Sequence, residues 1–170
     1  QHFPDIEFEC LIAEDDDVID LVQTQRGHMG VIRAQQSYPV SISASRLQVK
    51  TEMAVFVAAQ HPLAPRLSVT RQQLATVRQL CLNTYKRNER LQTEGVIWSA
   101  PSYLMLLEMA EQGFGWSILP RWLVAQYGHN LLTELHVYGW PQQIEMDAIW
   151  SKQTPPEPAG LWLIDTLLMQ

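Results

Sequence analysis

The sequence predicts an α/β fold in which one chain forms two lobes. Stretches in which apolar and polar residues alternate, typical of strands, take turns with stretches whose apolar residues recur at helical spacing. Short connections from strand to helix to strand indicate βαβ units, which favour mixed but mostly parallel sheets. Long extended stretches at residues 52–59 and 145–151 are the places where we expect the chain to cross between the lobes.

Length and composition agree with a globular domain. A chain of 170 residues is long enough for one domain or for two small lobes, and its 46% hydrophobic and 18% charged residues argue against disorder. The net charge of -6 argues against this chain binding nucleic acid by itself. No apolar run approaches the roughly 20 residues that a bilayer span needs, so we expect no membrane partner.

The amino-terminal segment predicts a strand, a helix and a second strand. Residues 6–12 alternate with the period of a strand that buries one face. Acidic residues 14–17 favour the positive amino-terminal end of a helix, which Gly27 separates from a strand at residues 28–33. The residues expected on the buried stripe of this helix are Val18, Leu21, Val22 and Gln25.

The rest of the chain continues the alternation of strands and helices. A helix is predicted between Pro101, which suits a first helical turn, and Gly113, which suits a helix end. Further helices are predicted at residues 69–75, at residues 121–127 and at the carboxyl terminus. Further strands are predicted at residues 43–50, 52–59, 78–84, 94–99, 114–119, 131–137 and 145–151.

The reactive side chains form none of the patterns that metal sites or enzymes require. Cys10 and Cys81 lie in strand-like runs, so we expect buried, reduced thiols, and two cysteines supply too few ligands for a structural zinc. The five histidines lack the spacing of a metal site, and neither a phosphate loop nor a Gly-x-Ser-x-Gly motif occurs. The sequence therefore predicts no metal, no cofactor and no catalytic residue.

Three short motifs occur in order along the chain. They are Phe-Pro-Asp-Ile-Glu at residues 3–7, His-Pro-Leu-Ala at residues 61–64 and Gly-Phe-Gly-Trp-Ser-Ile-Leu-Pro at residues 113–120. With the matching order of elements they resemble the effector-binding domain of LysR-type transcriptional regulators, and the resemblance covers nearly the whole chain. It implies the two-lobed fold of type II periplasmic binding proteins, with mixed, mostly parallel sheets and helices on both faces.

The resemblance also implies lobe boundaries and a truncated start. Lobe I would comprise residues 1–58 and 146–170, and lobe II would comprise residues 59–145. The first of the three motifs normally follows the first strand and helix of the domain, so we expect that this first strand is missing. Two features depart from the family pattern. His28 stands where aspartate is usual, and the connection at residues 85–94 is shorter than is usual in the family.

By this resemblance, the chain is the sensor domain of a bacterial, cytoplasmic transcriptional regulator. It would bind a small anionic metabolite in the cleft between its lobes and form a homodimer or higher homo-oligomer, with the helix at residues 15–25 in the dimer contact. Promoter DNA would be contacted only through a winged helix-turn-helix domain outside this sequence. Two alternatives stay open, a solute-binding protein of a transporter, which shares the fold, and an enzyme on the same scaffold.

The resemblance places four candidate effector contacts at Arg33, Asn83, Thr84 and Ser102, and Trp98 is a fifth candidate. The guanidinium of Arg33 can hold a carboxylate through two parallel hydrogen bonds, although a salt bridge within the protein is the alternative. Asn83 and Thr84 follow a strand, where effector contact and ordinary turn chemistry are both open. Ser102 could contact a bound carboxylate or only cap its helix. Trp98 could line the cleft or pack in a core.

Overall fold

The computed structural model describes Glu7, Glu9 and residues 15–83 and 95–168 of the chain. Several predictions fall outside these residues, so the structure does not bear on them. They are the strand at residues 6–12 apart from its two glutamates, Cys10, the candidate contact Thr84, and the connection at residues 85–94.

The chain divides into two compact units. Unit 1 comprises Gln1–Lys50 and Ile144–Gln170, and unit 2 comprises Thr51–Gln143. The chain therefore passes between the units once after Lys50 and once after Gln143. The crossings expected from the sequence lay later in the chain, after residues 58 and 145.

Unit 1 is built from segments at both ends of the chain. It contains the helices α1 (Asp15–Gln23) and α5 (Pro158–Leu168) and the strand β1 (Met29–Arg33). It also contains the first part of β2 (Ile42–Ala58) and the last part of β7 (Gln142–Ser151). β1 and β7 lie antiparallel to each other.

The core of unit 1 forms where α1 packs on its strands. The buried residues of this cluster are Ile19, Val22, Ile32, Ile42 and Ile149. The stripe predicted for the helix was wrong at Gln25, which is exposed and has a positive φ of 58°. The reason is that α1 ends at Gln23, so Gln25 lies beyond the helix. The buried residues of the helix are Val22 and, one turn earlier, Ile19, which the prediction omitted.

Unit 2 contains a mixed sheet. Its elements are the last part of β2, α2 (Arg71–Ala75), β3 (Gln79–Leu82), β4 (Ile97–Ala100), α3 (Tyr103–Glu111), β5 (Trp116–Pro120), α4 (Arg121–Tyr127), β6 (Leu132–Leu135) and the first residues of β7. β3 lies parallel to β4 and to β5, whereas β2 lies antiparallel to β5 and to β6. The prediction of a mixed α/β sheet is confirmed, but the expectation that it is mostly parallel is not, because β1–β7, β2–β5 and β2–β6 are all antiparallel pairs.

The core of unit 2 lies between its helices and strands. It consists of Ala54, Phe56, Leu80, Ala100, Leu106, Leu107, Ala110, Leu119 and Leu123. Trp116 is fully buried beside it, and its indole N–H donates to the carbonyl oxygens of Leu74 at 3.1 Å and Val77 at 3.2 Å. These bonds satisfy the only polar atom of the indole, so that the ring can be buried without an unpaired donor.

The strand β2 is longer than the sequence predicted. Two stretches, residues 43–50 and 52–59, were expected, but β2 is one strand of 17 residues. The polar residues Lys50, Thr51 and Glu52 interrupt the apolar pattern and therefore suggested a break. The strand nevertheless continues through them, and the partly exposed side chains of Lys50 and Glu52 form ion pairs with Glu145 and Arg121.

Candidate functional site

The candidate site is built on the parallel strands β3 and β4 of unit 2. Leu82 lies opposite Ala100 in the register of this pair, and the backbone N–H of Asn83 donates to the carbonyl oxygen of Ala100 at 2.8 Å. Ser102 follows Ala100 by two residues, and both Asn83 and Ser102 are exposed. The two candidate residues therefore lie at the same edge, beyond the carboxyl ends of adjacent parallel strands. In α/β sheets this is the edge where ligands bind.

Ser102 caps the helix α3. Its backbone is extended, with φ -144° and ψ 155°, and its hydroxyl oxygen accepts from the backbone N–H of Met105 at 3.3 Å. A serine hydroxyl that accepts one bond still has its own proton to donate. The side chain can therefore cap the helix and donate to an anion at the same time, so the two roles predicted for it are compatible.

The strands β3 and β5 separate near Ser102. Only Gln79 and Leu80 of β3 pair with Trp116 and Ser117 of β5, although both strands continue beyond these residues. A small depression opens near this separation. Its lining residues are Gln79, Leu80, Cys81, Leu82, Tyr103, Leu106 and Ile118.

Tyr103 is a site residue that the sequence did not single out. It is half-buried, begins α3 directly after Ser102 and lines the depression. Its place next to a candidate helix cap was the signal that could have found it. Cys81 also lines the depression and is buried, as expected for a thiol in a strand.

Trp98 lies at the opposite end of these strands. The guanidinium carbon of Arg78 lies 3.6 Å from the centroid of the Trp98 ring, and the Phe114 ring centroid lies 5.8 Å away. Arg78 directly precedes β3 and Phe114 precedes β5, so these contacts hold the indole near the amino ends of the strands. The structure does not bring Trp98 to Asn83 and Ser102, and its place among effector contacts stays a prediction.

Arg33 lies in unit 1, away in the sequence from the other candidates. It is the last residue of β1, half-buried, and stands opposite Met146 of β7.

The same part of unit 1 carries a charged network that the sequence did not reveal. The buried carboxylate of Asp147 accepts from the hydroxyl of Tyr38 and from Nε of Arg46, the latter at 2.6 Å. Burial and the bond to Asp147 raise the pKa of Tyr38, so this phenol stays protonated as the donor.

Within residues 15–83 and 95–168, His, Cys, Asp and Glu side chains form no group of three that could hold a metal ion. Among the helices of the described part, none has the length and apolarity needed to cross a bilayer.

The fold and the sequence together define the class of this domain. It is a two-lobed α/β domain like the periplasmic binding proteins. The sequence matches the family model of the LysR substrate binding domain over residues 1–170, and the chain therefore belongs to that family. The family comprises the effector-binding domains of transcriptional regulators, which is not a class of enzymes. No curated protein sequence matches the chain.

Solved structures with the same fold include several regulators. The CcmR regulatory domain of Synechocystis PCC6803, in complex with 2-PG, has a TM-score of 0.79 and 14% identity, over 99% of this chain and 85% of that one. The MetR regulatory domain of N. meningitidis has a TM-score of 0.76 and 15% identity, over 98% and 80% of the two chains. HinK, a LysR family regulator from Pseudomonas aeruginosa, has a TM-score of 0.70 and 18% identity. The match covers 96% of this chain and 60% of HinK. The chain thus spans only part of the length of HinK, and 58% of another Pseudomonas aeruginosa protein.

Proposed function

We propose that the chain is the effector-sensing domain of a bacterial LysR-type regulator, which binds a small anionic metabolite in the cleft between its lobes. Units 1 and 2 are taken as lobes I and II. The observation that carries the proposal is the position of Asn83 and Ser102 beyond the carboxyl ends of β3 and β4. Belonging to the LysR substrate binding family supports it.

The preference for an anion follows from the start of α3. The first backbone N–H groups of a helix lack partners within the helix and carry a partial positive charge. In α3 the Ser102 hydroxyl accepts from one of these groups, that of Met105, and keeps its own proton to donate to a ligand. The side-chain amide of Asn83 can donate from the neighbouring strand end. A carboxylate or phosphate therefore suits this edge better than a cation.

Arg33 is the contact that we propose for unit 1. A guanidinium holds a carboxylate or phosphate through two parallel hydrogen bonds and keeps its charge at any physiological pH. The first test therefore concerns Ser102→Ala and Arg33→Ala. Each should weaken binding of the effector by about 1.5–3 kcal/mol, or roughly ten- to a hundredfold, while the fold is retained. Small carboxylates and phosphates, including 2-PG, are screened by thermal shift, and the strongest binder is then titrated by calorimetry.

A matched control separates effector binding from helix capping. Thr70 caps α2 in the same unit through its own side chain, accepting from the N–H of Gln73 at 3.2 Å. Thr70→Ala should cost about 1 kcal/mol of stability, as should loss of the Ser102 cap, but it should leave affinity unchanged. Unchanged affinity in both Ser102→Ala and Arg33→Ala would show that the effector contacts are assigned to the wrong residues.

The remaining parts of the proposal concern the whole regulator. The domain would act in the cytoplasm as a homodimer or higher homo-oligomer, with α1 in the dimer contact. The effector would change the geometry of lobes or dimer, and a winged helix-turn-helix domain of the longer protein would read that change at promoter DNA. A solute-binding protein of a transporter is not favoured, because the family match and the similar structures described above are those of regulators.

A further inference from the structure

A charged cluster in unit 2 joins three elements that are distant in sequence. Arg121 is the first residue of α4, and its Nη1 donates to Oε2 of Glu52 in β2 at 2.8 Å. Its Nη2 donates to Oε1 of Glu134 in β6 at 2.6 Å, and its Nε lies 3.2 Å from both oxygens of Glu134. We call Arg121, Glu52 and Glu134 the Arg121 clamp.

The clamp lies where the chain enters unit 2. Glu52 is the second residue of this unit, directly after the first crossing at Lys50. One guanidinium thus connects the first crossing point, through Glu52, to α4 and β6 in the body of the unit.

We propose that Arg121 is a positioning residue that holds the first crossing segment to the body of unit 2. Bending of β2 is then confined to residues outside the clamp, on the side of unit 1. The part this plays in signalling rests on the proposed function, since a regulator must pass movement between its lobes along the segments that cross between them.

The charges and exposure of the clamp residues indicate that losing the clamp affects only the structure around it. Arg121 forms ion pairs with two carboxylates. Its loss therefore leaves Glu52 and Glu134 without this partner and free to repel each other. The side chains are 38%, 42% and 29% exposed for Arg121, Glu52 and Glu134, and partly exposed pairs contribute little to global stability. Removing the clamp should therefore loosen the segments it joins without unfolding the unit. The hydrogen bond and the charge of Arg121 also lower the pKa of Glu52, so the carboxylate stays ionised at neutral pH.

The local loosening is tested by measuring amide hydrogen exchange at low salt in the protein without effector. In Arg121→Gln, we expect exchange about three- to tenfold faster than in the wild type at residues 52–54 and 132–135. Exchange in β3 and α3, which the clamp does not touch, should be unchanged. Arg71→Gln is the matched control, because Arg71 is likewise the first residue of a helix in unit 2 and is exposed.

A second variant covers the case in which Arg121→Gln does not fold. Glu134→Gln keeps the shape of the side chain and removes one charge, and it should accelerate exchange in the same two segments. If Arg121→Gln and Glu134→Gln exchange in these segments at the same rate as Arg71→Gln, the proposal is overturned. Acceleration of equal size in β3 and α3 would overturn it too, because Arg121 would then only stabilise unit 2 as a whole. Since no effector is used, a failed effector screen leaves this result untouched.

Discussion

The hydroxyl of Ser102 caps α3 and is also the contact that we propose for a ligand. Its oxygen accepts from Met105, which fixes the start of α3, and its proton is available at the edge where Asn83 also lies. A cap of this kind gives the binding edge a side chain that is already held in place before a ligand arrives. The entropy lost on binding is smaller for a group that is fixed beforehand.

His61 is a residue whose ionisation should affect the stability of unit 2. Its Nδ1 accepts from the backbone N–H of Leu63 at 3.1 Å, which requires an unprotonated nitrogen. Partial burial lowers the pKa of His61 below its ordinary value of 6.5. Below pH 6.5 the unfolded chain therefore binds a proton at His61 that the folded chain does not yet bind.

We predict from this difference that the stability contributed by neutral His61 is complete above pH 6.5 and is lost as pH falls towards the lowered pKa. The variant His61→Asn keeps an acceptor near Nδ1 but does not titrate. Urea unfolding between about pH 7.5 and pH 5.5 should show a steeper loss of stability in the wild type than in the variant. Parallel pH profiles for the two proteins would contradict this role for His61.

At the scale of elements, glycine and proline made the helix α3 predictable. Pro101 and Gly113 marked a helix, and α3 runs between them as Tyr103–Glu111. Gly113 has a φ of 80°, which favours glycine, and this ends the helix. The continuity of β2 through Lys50 and Glu52 was not predictable, because the ion pairs that accommodate these charges come from Glu145 and Arg121, far along the chain.

The Gly-Phe-Gly segment gives a prediction at this scale. A Cβ added to Gly115 would lie 2.2 Å from the carbonyl oxygen of Arg78, a backbone atom that cannot move away without disturbing β3. Gly115→Ala should therefore destabilise the protein by about 3 kcal/mol, measured as a lower midpoint of urea unfolding.

Gly27→Ala is the control for this substitution. At Gly27 the nearest atom to an added Cβ is 3.7 Å away, an ordinary contact, and the change should stay within about 0.5 kcal/mol. Equal stability of the two variants would show that β5 does not approach Arg78 as closely as described.

At the scale of the whole molecule, the sequence predicted the fold class, whereas contacts between distant parts of the chain could not be predicted from it. Alternating strands and helices and three motifs in order were sufficient for the mixed α/β fold and the family. The Arg121 clamp and the stacking of Arg78 on Trp98 join residues from separate elements, and no local pattern marks such pairs. The depression lined by Tyr103 likewise joins residues of β3, α3 and β5 that are distant in sequence.

Effector binding at Asn83, Ser102 and Arg33 is tested most directly by nuclear magnetic resonance of the isotope-labelled domain. The carboxylate or phosphate that gives the largest thermal shift is titrated, and the backbone amide shifts are followed. We expect the largest shifts at Asn83, at residues 102–105 and at Arg33, because the anion would contact these groups. Shifts confined to other residues, with these amides unmoved, would contradict an anion site at the carboxyl ends of β3 and β4.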